Sequence, residues 1–380
     1  MDARGIHRRL RSKARRPRRR LAGALAGVAL LAAPPLEALV INIDAPGLAG
    51  SEALAALERA ARAWERVFSD PVEVNISAAL LPIGSSMVLG QTSSVLLQAP
   101  YDLIRDAVVL DGLAEPDDGV VAFLPTAGQF SATVLGLGPN VAFGLNGNLS
   151  ATKANLKALG FDLDGLFGPL DATIEFNSDF QFDFDRRDGV SPGLTDFETV
   201  AAHEIGHVLG FDSVVDTVDL LAAFGFVADL APRTLDLFRF QEGQAPTTPA
   251  EFTSAPRLLV PGLPDFLPPD FVDIGDRFPA VFSDLDASYP LSTGFYLGDG
   301  RQASHWKDDN FTGVHIGLMD PSLARAEIFE IAAADIRALD LIGWDHVPAV
   351  GEPPSGLLLG LALLALSFAC RTSARHPAGR

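Results

Sequence analysis

A stretch that begins at Thr195 reads TDFETVAAHEIGHVLGFDS. It predicts a helix that is capped by Thr195 and ends at Gly210, where the chain can turn back. On this helix His203 and His207 are four residues apart, so both imidazoles lie on one face and can bind the same metal ion. Glu204 projects beside them, where a carboxylate can take a proton from a water molecule and pass it to a leaving amine. The stretch therefore predicts a zinc site with a general base.

The third metal ligand is not decided by this stretch. A catalytic zinc usually has three protein ligands and one open position. Serine, a poor zinc ligand, stands three residues after the glycine that ends the motif. The single cysteine, Cys370, lies in the tail, so the candidates are histidines and acids. They are Asp212, Asp216, His305 and His315.

Two segments far downstream extend the pattern. Ser304-His305 is followed by Leu318-Met319-Asp320-Pro321, and the chain then reaches Ala338-Leu339-Asp340-Leu341-Ile342-Gly343. Together with HEIGHVLGF, this order resembles the leishmanolysin-like metzincins. In that family a long insertion separates HExxHxxGF from a Ser-His ligand segment and a Leu-Met-x-Pro Met-turn, whereas most other metzincins place the third histidine three residues after the motif glycine. The resemblance covers roughly residues 195–212 and 300–345.

The resemblance implies both a fold and a site. The fold is an α+β, metzincin-like zinc peptidase domain with a twisted N-terminal sheet, an active-site helix and a C-terminal helix. The site is one catalytic zinc ion held by His203, His207 and His305, with Glu204 as the general base. Met319 would lie beneath the zinc as an apolar floor and would not be a ligand.

The implied activity is peptide-bond hydrolysis by a secreted or surface-attached zinc endopeptidase. Its substrate, a protein or peptide, is expected to lie along an edge strand of the sheet, near Ile174–Phe182. A different class of function stays open, namely a non-catalytic surface or matrix binding protein on the same scaffold. The presence of Glu204 argues against it, because a binding module needs no general base. A zinc hydrolase that acts on non-peptide substrates also stays open.

Outside the motif, periodicity predicts a mixture of helices and strands. The predicted helices are Ser51–Phe68, about Tyr101–Leu110, Thr152–Leu159 and Ala324–Leu341. Alternation predicts a strand at Val72–Ile76, and a strand or hairpin with one apolar face over Thr173–Phe184. Residues 39–347 are predicted to form one catalytic domain with an irregular insertion at about 213–300, because 241–275 is rich in proline and composition marks no second domain.

The two ends of the chain have the composition of targeting segments. Ten of the 29 basic residues lie in the first 20 positions, before the apolar Leu21–Ala33, so residues 1–38 are predicted to be a signal peptide for export. Residues 348–380 contain Glu352-Pro353-Pro354-Ser355, an apolar run from Leu357 to Cys370, and a few arginines. This order resembles PEP-CTERM tails, which implies sorting or membrane machinery as a partner. A plain membrane anchor and a buried C-terminal helix stay open.

Charge and composition exclude two classes of protein. Between residues 39 and 352 there are 16 basic and 46 acidic residues, a formal charge of −30. A surface this acidic repels phosphate, so no nucleic-acid partner is expected. With 48% hydrophobic residues the chain can bury a substantial core, which excludes a disordered protein.

An acidic turn is a candidate for a second metal. The segment Phe182–Gly189 places Asp183, Asp185 and Asp188 before a glycine, and carboxylates in such a turn can bind Ca²⁺. The spacing is not that of an EF-hand, and a solvated acidic turn is the alternative interpretation.

Overall fold

The computed structural model describes residues 38–138, 141–262 and 278–347, which belong to one structural unit. The predicted signal peptide, apart from Ala38, and the predicted sorting tail at 348–380 lie outside these residues. Part of the predicted insertion, 263–277, also lies outside them. The described part of the chain mixes helices and strands, so the α+β class is confirmed.

The helices are mostly short. In the described residues, the α-helices are α1 (Glu52–Glu65), α2 (Tyr101–Gly112), α3 (Lys153–Ala158), α4 (Asp164–Phe167), α5 (Phe197–Leu209), α6 (Val215–Ala223), α7 (Pro249–Ser254), α8 (Asp309–Thr312) and α9 (Ala333–Asp340). Short 3-10 helices occupy Pro46–Leu48, Gly119–Phe123, Arg186–Asp188 and Leu235–Phe238. No helix of the described residues is long and apolar enough to cross a membrane.

The strands are also short, and most of them pair in small sheets. They are β1 (Val40–Asp44), β2 (Glu73–Leu81), β3 (Gly90–Ser94), β4 (Leu96–Pro100), β5 (Ala132–Val134), β6 (Gly136–Gly138), β7 (Val141–Ala142), β8 (Gly144–Leu145), β9 (Asn148–Thr152), β10 (Ala172–Asn177), β11 (Phe182–Asp183), β12 (Thr195–Asp196), β13 (Asp229–Leu230), β14 (Arg239–Gln241), β15 (Arg257–Leu259), β16 (Ala280–Ser283) and β17 (Ser288–Leu291). The segment expected to be an irregular insertion at about 213–300 therefore contains several short elements, with longer connections between them.

The largest sheet has four strands in the order β1–β2–β10–β3. The first three are parallel, and β3 runs antiparallel to β10 with Thr92 opposite Ile174. The strand expected near the substrate, Ile174–Phe182, therefore begins inside the sheet, and β3 is the edge strand beside it. The sheet thus agrees with the expectation that Ile174–Phe182 lies near an edge strand, because β10 pairs with β3 on one side and with β2 on the other.

Helix α5 carries the HEIGH motif and packs between α1 and β3. The Trp64 indole of α1 is fully buried and donates a hydrogen bond to the Ala202 carbonyl (2.8 Å). From the other side, the Thr92 hydroxyl of β3 lies 3.1 Å from the Glu204 carbonyl oxygen. The motif helix is thus held on two sides by side chains that contact its backbone carbonyls.

Several helix predictions are confirmed. Helix α1 lies within the predicted Ser51–Phe68, and the Ser51 side chain accepts a hydrogen bond from the Leu54 amide as the N-cap. Helices α2 and α3 lie close to their predicted bounds, and Thr152 caps α3 in the same way. These segments combine a side-chain cap or strong helix formers with one buried face.

Three predicted boundaries are wrong. The N-cap of α5 is Asp196 rather than Thr195, because the Asp196 carboxylate accepts a hydrogen bond from the Thr199 amide (3.0 Å). The final helix begins at Ala333 rather than Ala324. Upstream of it, the Phe329 backbone exchanges two hydrogen bonds with the Thr199 hydroxyl, which holds that segment against α5 instead of in a helix.

The third wrong boundary concerns the alternating segment Thr173–Phe184. Strand β10 ends at Asn177, because the fully buried Asn177 side chain turns aside to bond the backbone at Ile83, Ser85 and Val88. The alternation resumes only as the two-residue β11. The phenyl rings of the alternating segment nevertheless share one face, since Phe182 and Phe184 lie 5.3 Å and 5.0 Å from the Phe197 ring of α5.

A cluster of carboxylates near the C-terminal end of the domain makes stability depend on pH. Burial, followed by repulsion from neighbouring acids, raises the pKa of Asp70 to about 8 and the pKa values of Asp111 and Asp340 to about 7. The folded form therefore binds protons more tightly than the unfolded form. The stability that these groups contribute is present below about pH 4 and is lost as the pH rises towards 8.

We expect the melting temperature of the metal-free chain, held in excess chelator, to fall between pH 7 and pH 8.5. This window lies above the range in which His203, His207 and His305, whose pKa values burial lowers, would take up protons on unfolding and oppose the trend. A difference of one pKa unit corresponds to about 1.4 kcal/mol, which shifts the melting temperature of a domain of this size by about 2–3 °C. Asp70→Asn removes one of the titrating groups and should flatten the profile. A melting temperature that is constant or rises over this range would contradict the prediction.

Candidate metal centre

Three histidines from two distant parts of the chain point at one position. His203 and His207 lie on α5, and His305 lies on a loop about 100 residues later. The Nε2 atoms of His203 and His305 are 3.1 Å apart, those of His203 and His207 are 3.2 Å apart, and those of His207 and His305 are 3.3 Å apart. Of the candidates left open by the sequence, His305 is therefore the one that joins the motif histidines.

The opposite nitrogen of each ring is held by a backbone carbonyl. His203 Nδ1 lies 2.8 Å from the Leu318 oxygen, His207 Nδ1 lies 2.7 Å from the Phe211 oxygen, and His305 Nδ1 lies 3.1 Å from the Gln302 oxygen. A carbonyl only accepts hydrogen bonds, so each Nδ1 must carry the proton. Each Nε2 then presents a lone pair to the centre of the triangle, because the hydrogen bond from Nδ1 to the carbonyl fixes both the tautomer and the orientation of the ring.

The three lone pairs fit a tetrahedral zinc ion. Ligand nitrogens at about 2.0–2.1 Å from zinc lie about 3.3 Å from one another in a tetrahedral site, close to the observed spacing. Burial and mutual repulsion lower the pKa of His203 to about 3, and burial lowers that of His207 to about 4. Without a cation, three neutral acceptors this close would repel, so the donor set fits the metal that the sequence predicts.

Glu204 lies on the same helix and is fixed by the edge strand. Its side chain is 6% exposed, and the Thr92 hydroxyl donates a hydrogen bond to its Oε2 (2.7 Å). Strand β3 also passes so close that a Cβ at Gly90 would lie 2.8 Å from Glu204 Oε1. Burial raises the pKa of Glu204 to about 7. A carboxylate with this pKa is suited to general acid–base chemistry near neutral pH.

Met319 lies directly against the motif helix α5. It is fully buried, and a Cβ at Gly206 would collide with its sulfur atom. The glycine inside HEIGH therefore leaves room for the Met-turn. The turn itself is held by the buried Asp335 carboxylate, which accepts hydrogen bonds from the Leu318 amide (2.7 Å) and the Met319 amide (3.2 Å).

Asp335 also connects the Met-turn to the rest of the site. It accepts hydrogen bonds from the Trp306 indole (2.7 Å) and from the Ala332 amide (2.7 Å) at the start of α9. Trp306 follows His305 directly and is fully buried. One carboxylate thus ties the loop of the third histidine, the Met-turn and the C-terminal helix together.

The other candidate third ligands lie elsewhere or are engaged. Asp212 forms an ion pair with Arg233 (2.7 Å), and Asp216 accepts hydrogen bonds from the backbone of the loop that carries His305. His315 is exposed, and its ring stacks on Phe329 with centroids 3.9 Å apart. The structure brings none of these three side chains into the histidine triangle.

The acidic turn proposed for calcium uses its carboxylates locally. Asp183 accepts hydrogen bonds from the amides of Asp185 and Ser191, and Asp185 pairs with Arg187 (2.5 Å). The arginine holds the pKa of Asp185 at about 2. This turn is not among the groupings of possible metal ligands found in the described residues, so a calcium ion there stays a prediction that this geometry does not favour.

The sequence did not indicate three supporting residues, which are Thr92, Asp335 and Gly206. Thr92 lies in a short polar strand that carries no motif. Asp335 lies in the interior of the predicted last helix. The observed helix begins at Ala333, which places Asp335 in its first turn, where a carboxylate can accept hydrogen bonds from backbone amides. Of the three, only Gly206 carries a signal that sequence reasoning could have used, because a glycine inside a helix indicates a close approach by another group.

Comparisons of the chain with protein-family models, with curated proteins and with solved structures found no match.

Proposed function

We propose that this chain is a zinc-dependent endopeptidase of the metzincin type. The observation that carries the proposal is the convergence of three Nε2 lone pairs, each oriented by a backbone carbonyl, beside a buried carboxylate. His203, His207 and His305 would hold the metal. The Met-turn packed beneath the motif helix at Gly206 adds the apolar floor that the family resemblance implies.

Glu204 would act as the general base. Bound zinc would supply Lewis-acid polarisation of the scissile carbonyl and make water acidic enough to lose a proton near neutral pH. Glu204 would accept that proton at the carboxylate oxygen not engaged by Thr92 and deliver it to the leaving amine. The Thr92 hydrogen bond limits the rotation of the carboxylate, which would keep the proton acceptor in one orientation during the reaction.

The substrate is proposed to be a polypeptide that pairs, as an additional strand, with the outer edge of β3. In the described residues, the four-stranded sheet ends at β3 on the side next to the motif helix, so its outer edge can pair with an extended chain. Gly90 and Thr92 lie on that strand and contact Glu204, which would bring the backbone of the bound peptide close to the general base. Export through residues 1–38 and attachment through residues 348–380 belong to the same proposal.

The test is hydrolysis by the full-length chain with and without metal. We expect about one zinc ion per chain, cleavage of casein or of a quenched peptide library, loss of cleavage in chelator, and its return when zinc is added. Zinc binding without cleavage of any polypeptide would contradict the proposal. Ester substrates assayed in parallel would then separate a non-peptide hydrolase from a non-catalytic binding protein.

A further inference from the structure

The loop that presents His305 has no regular secondary structure of its own. Residues 302–305 lie between two single β-bridges, and His305 is nevertheless buried, with 6% of its surface exposed. A metal ligand on a loop needs its position fixed by neighbouring groups, because a displacement of a few tenths of an ångström weakens coordination. Several of the groups that hold this loop come from the segment that follows the motif helix.

Ser304 is the point of attachment. Its hydroxyl oxygen accepts a hydrogen bond from the Ser213 amide (2.9 Å), and its hydroxyl hydrogen is directed to the Asp216 carboxylate at short range. Asp212 Oδ1 lies 3.2 Å from the same oxygen. Ser304 is 6% exposed, so these contacts lie in the interior and compete little with water.

Asp216 holds the backbone of the same loop. Its two carboxylate oxygens accept hydrogen bonds from the Ala303 amide (2.6 Å) and the Ser304 amide (3.1 Å). On the other side of the loop, the buried Arg239 guanidinium donates to the Ala303 carbonyl (3.2 Å). Both polar groups of the Ala303 peptide backbone are therefore anchored two residues before the ligand.

We infer that Ser304, Asp216 and the Ser213 amide form a clamp that positions His305 for metal binding. The inference rests on the proposed zinc site and concerns how that site is held together. Ser213 and Asp216 follow the motif helix within a few residues, so the clamp couples the end of α5, which carries two of the proposed ligands, to the loop that carries the third. Asp216, which the sequence offered as a ligand, is thus a positioning residue that contacts the loop of His305.

The experiment measures zinc affinity of the full-length chain by chelator competition, for Ser304→Ala and Asp216→Asn. We expect each variant to bind zinc about 10- to 100-fold more weakly than the wild type. We also expect altered visible absorption of the Co²⁺-loaded variants, because a displaced imidazole changes the coordination geometry. A merely structural role would lower thermal stability and leave the Co²⁺ spectrum and the zinc affinity of the folded chain unchanged.

Asp70→Asn is the matched control, because Asp70 is a buried carboxylate that accepts a backbone hydrogen bond from Asp345, away from the histidines. Its zinc affinity should stay within twofold of the wild type. Wild-type zinc affinity in a folded Ser304→Ala or Asp216→Asn variant would overturn the clamp, even if the wild type hydrolyses peptides. If the wild type binds zinc but cleaves nothing, the proposed activity fails while the affinity comparison still decides the clamp.

Discussion

Replacing Glu204 with glutamine is expected to lower kcat for peptide hydrolysis by about 10²–10⁴-fold, the contribution usual for a general acid–base group, while the chain keeps its zinc. Glutamine has nearly the same shape and can still accept the Thr92 hydrogen bond at its carbonyl oxygen. It cannot accept a proton from water. The three imidazoles do not depend on the carboxylate for their orientation, since their Nδ1 atoms are bound by backbone carbonyls.

The measurement is kcat on a fluorogenic peptide together with zinc content. Glu198→Gln is the matched control, because Glu198 lies on the same helix and pairs with Arg59 (2.7 Å) and Arg186 (3.2 Å) instead of facing the histidines. Its kcat per folded molecule should stay close to that of the wild type. Hydrolysis by Glu204→Gln at the wild-type rate would remove Glu204 from the mechanism.

The motif helix was predictable because its signals are local. The spacing of His203 and His207 follows from helical periodicity, and Gly210 ends the helix with a φ of 121°, in the region that favours glycine. Helices α1 and α3 were predictable for the same reason, since cap and buried face lie within one continuous segment, and α2 was predictable from its helix formers and buried face alone. The cap of α5 was misplaced by a single residue because Thr195 and Asp196 are both good caps, and only the geometry decides between them.

The rest of the site depends on contacts between distant segments. Periodicity contains nothing that joins Thr92 to Glu204 across 112 residues, or Asp335 to the Met-turn. The side chains of Asp212 and Asp216 are chemically able to bind zinc, and only their contacts with Arg233 and the His305 loop show that they are engaged elsewhere. Residue type and sequence separation therefore left four candidate third ligands, and the folded chain brings one of them to the centre.

The strand boundaries illustrate a different limit. The alternation over Thr173–Phe184 is real, and Phe182 and Phe184 do pack on Phe197. The strand still ends at Asn177, because a buried amide finds three backbone partners in the loop between β2 and β3. Satisfying a buried polar side chain outweighs continuing the ladder, since an unpaired buried amide costs about 1–3 kcal/mol. Alternation predicts which face is buried, and it does not predict where pairing stops.

Replacing His305 with alanine is expected to weaken zinc binding by more than about 100-fold. This loss exceeds the 10- to 100-fold that is usual when a residue that hydrogen-bonds a metal ligand is removed, because here the ligand itself is lost. Two imidazoles on α5 would remain, with an open space where the third Nε2 lies 3.1 Å and 3.3 Å from theirs. Asp212 and Asp216 cannot replace the lost ligand without breaking the Arg233 ion pair or the hydrogen bonds to the Ala303 and Ser304 amides. Hydrolysis should fall together with zinc content.

Chelator competition at fixed pH measures this loss, and His315→Ala is the matched control. His315 is the other downstream histidine that the sequence offered, and it is exposed and stacked on Phe329. Its removal should leave zinc affinity and hydrolysis within about twofold of the wild type, because surface substitutions away from a site usually change little. The reverse result, with zinc kept by His305→Ala and lost by His315→Ala, would assign the third ligand to His315. Such a result would require the 312–319 segment to rearrange. In the described geometry, the Nε2 atoms of His203, His207 and His305 lie within 3.3 Å of one another, whereas His315 lies near Asp309 and Asp320.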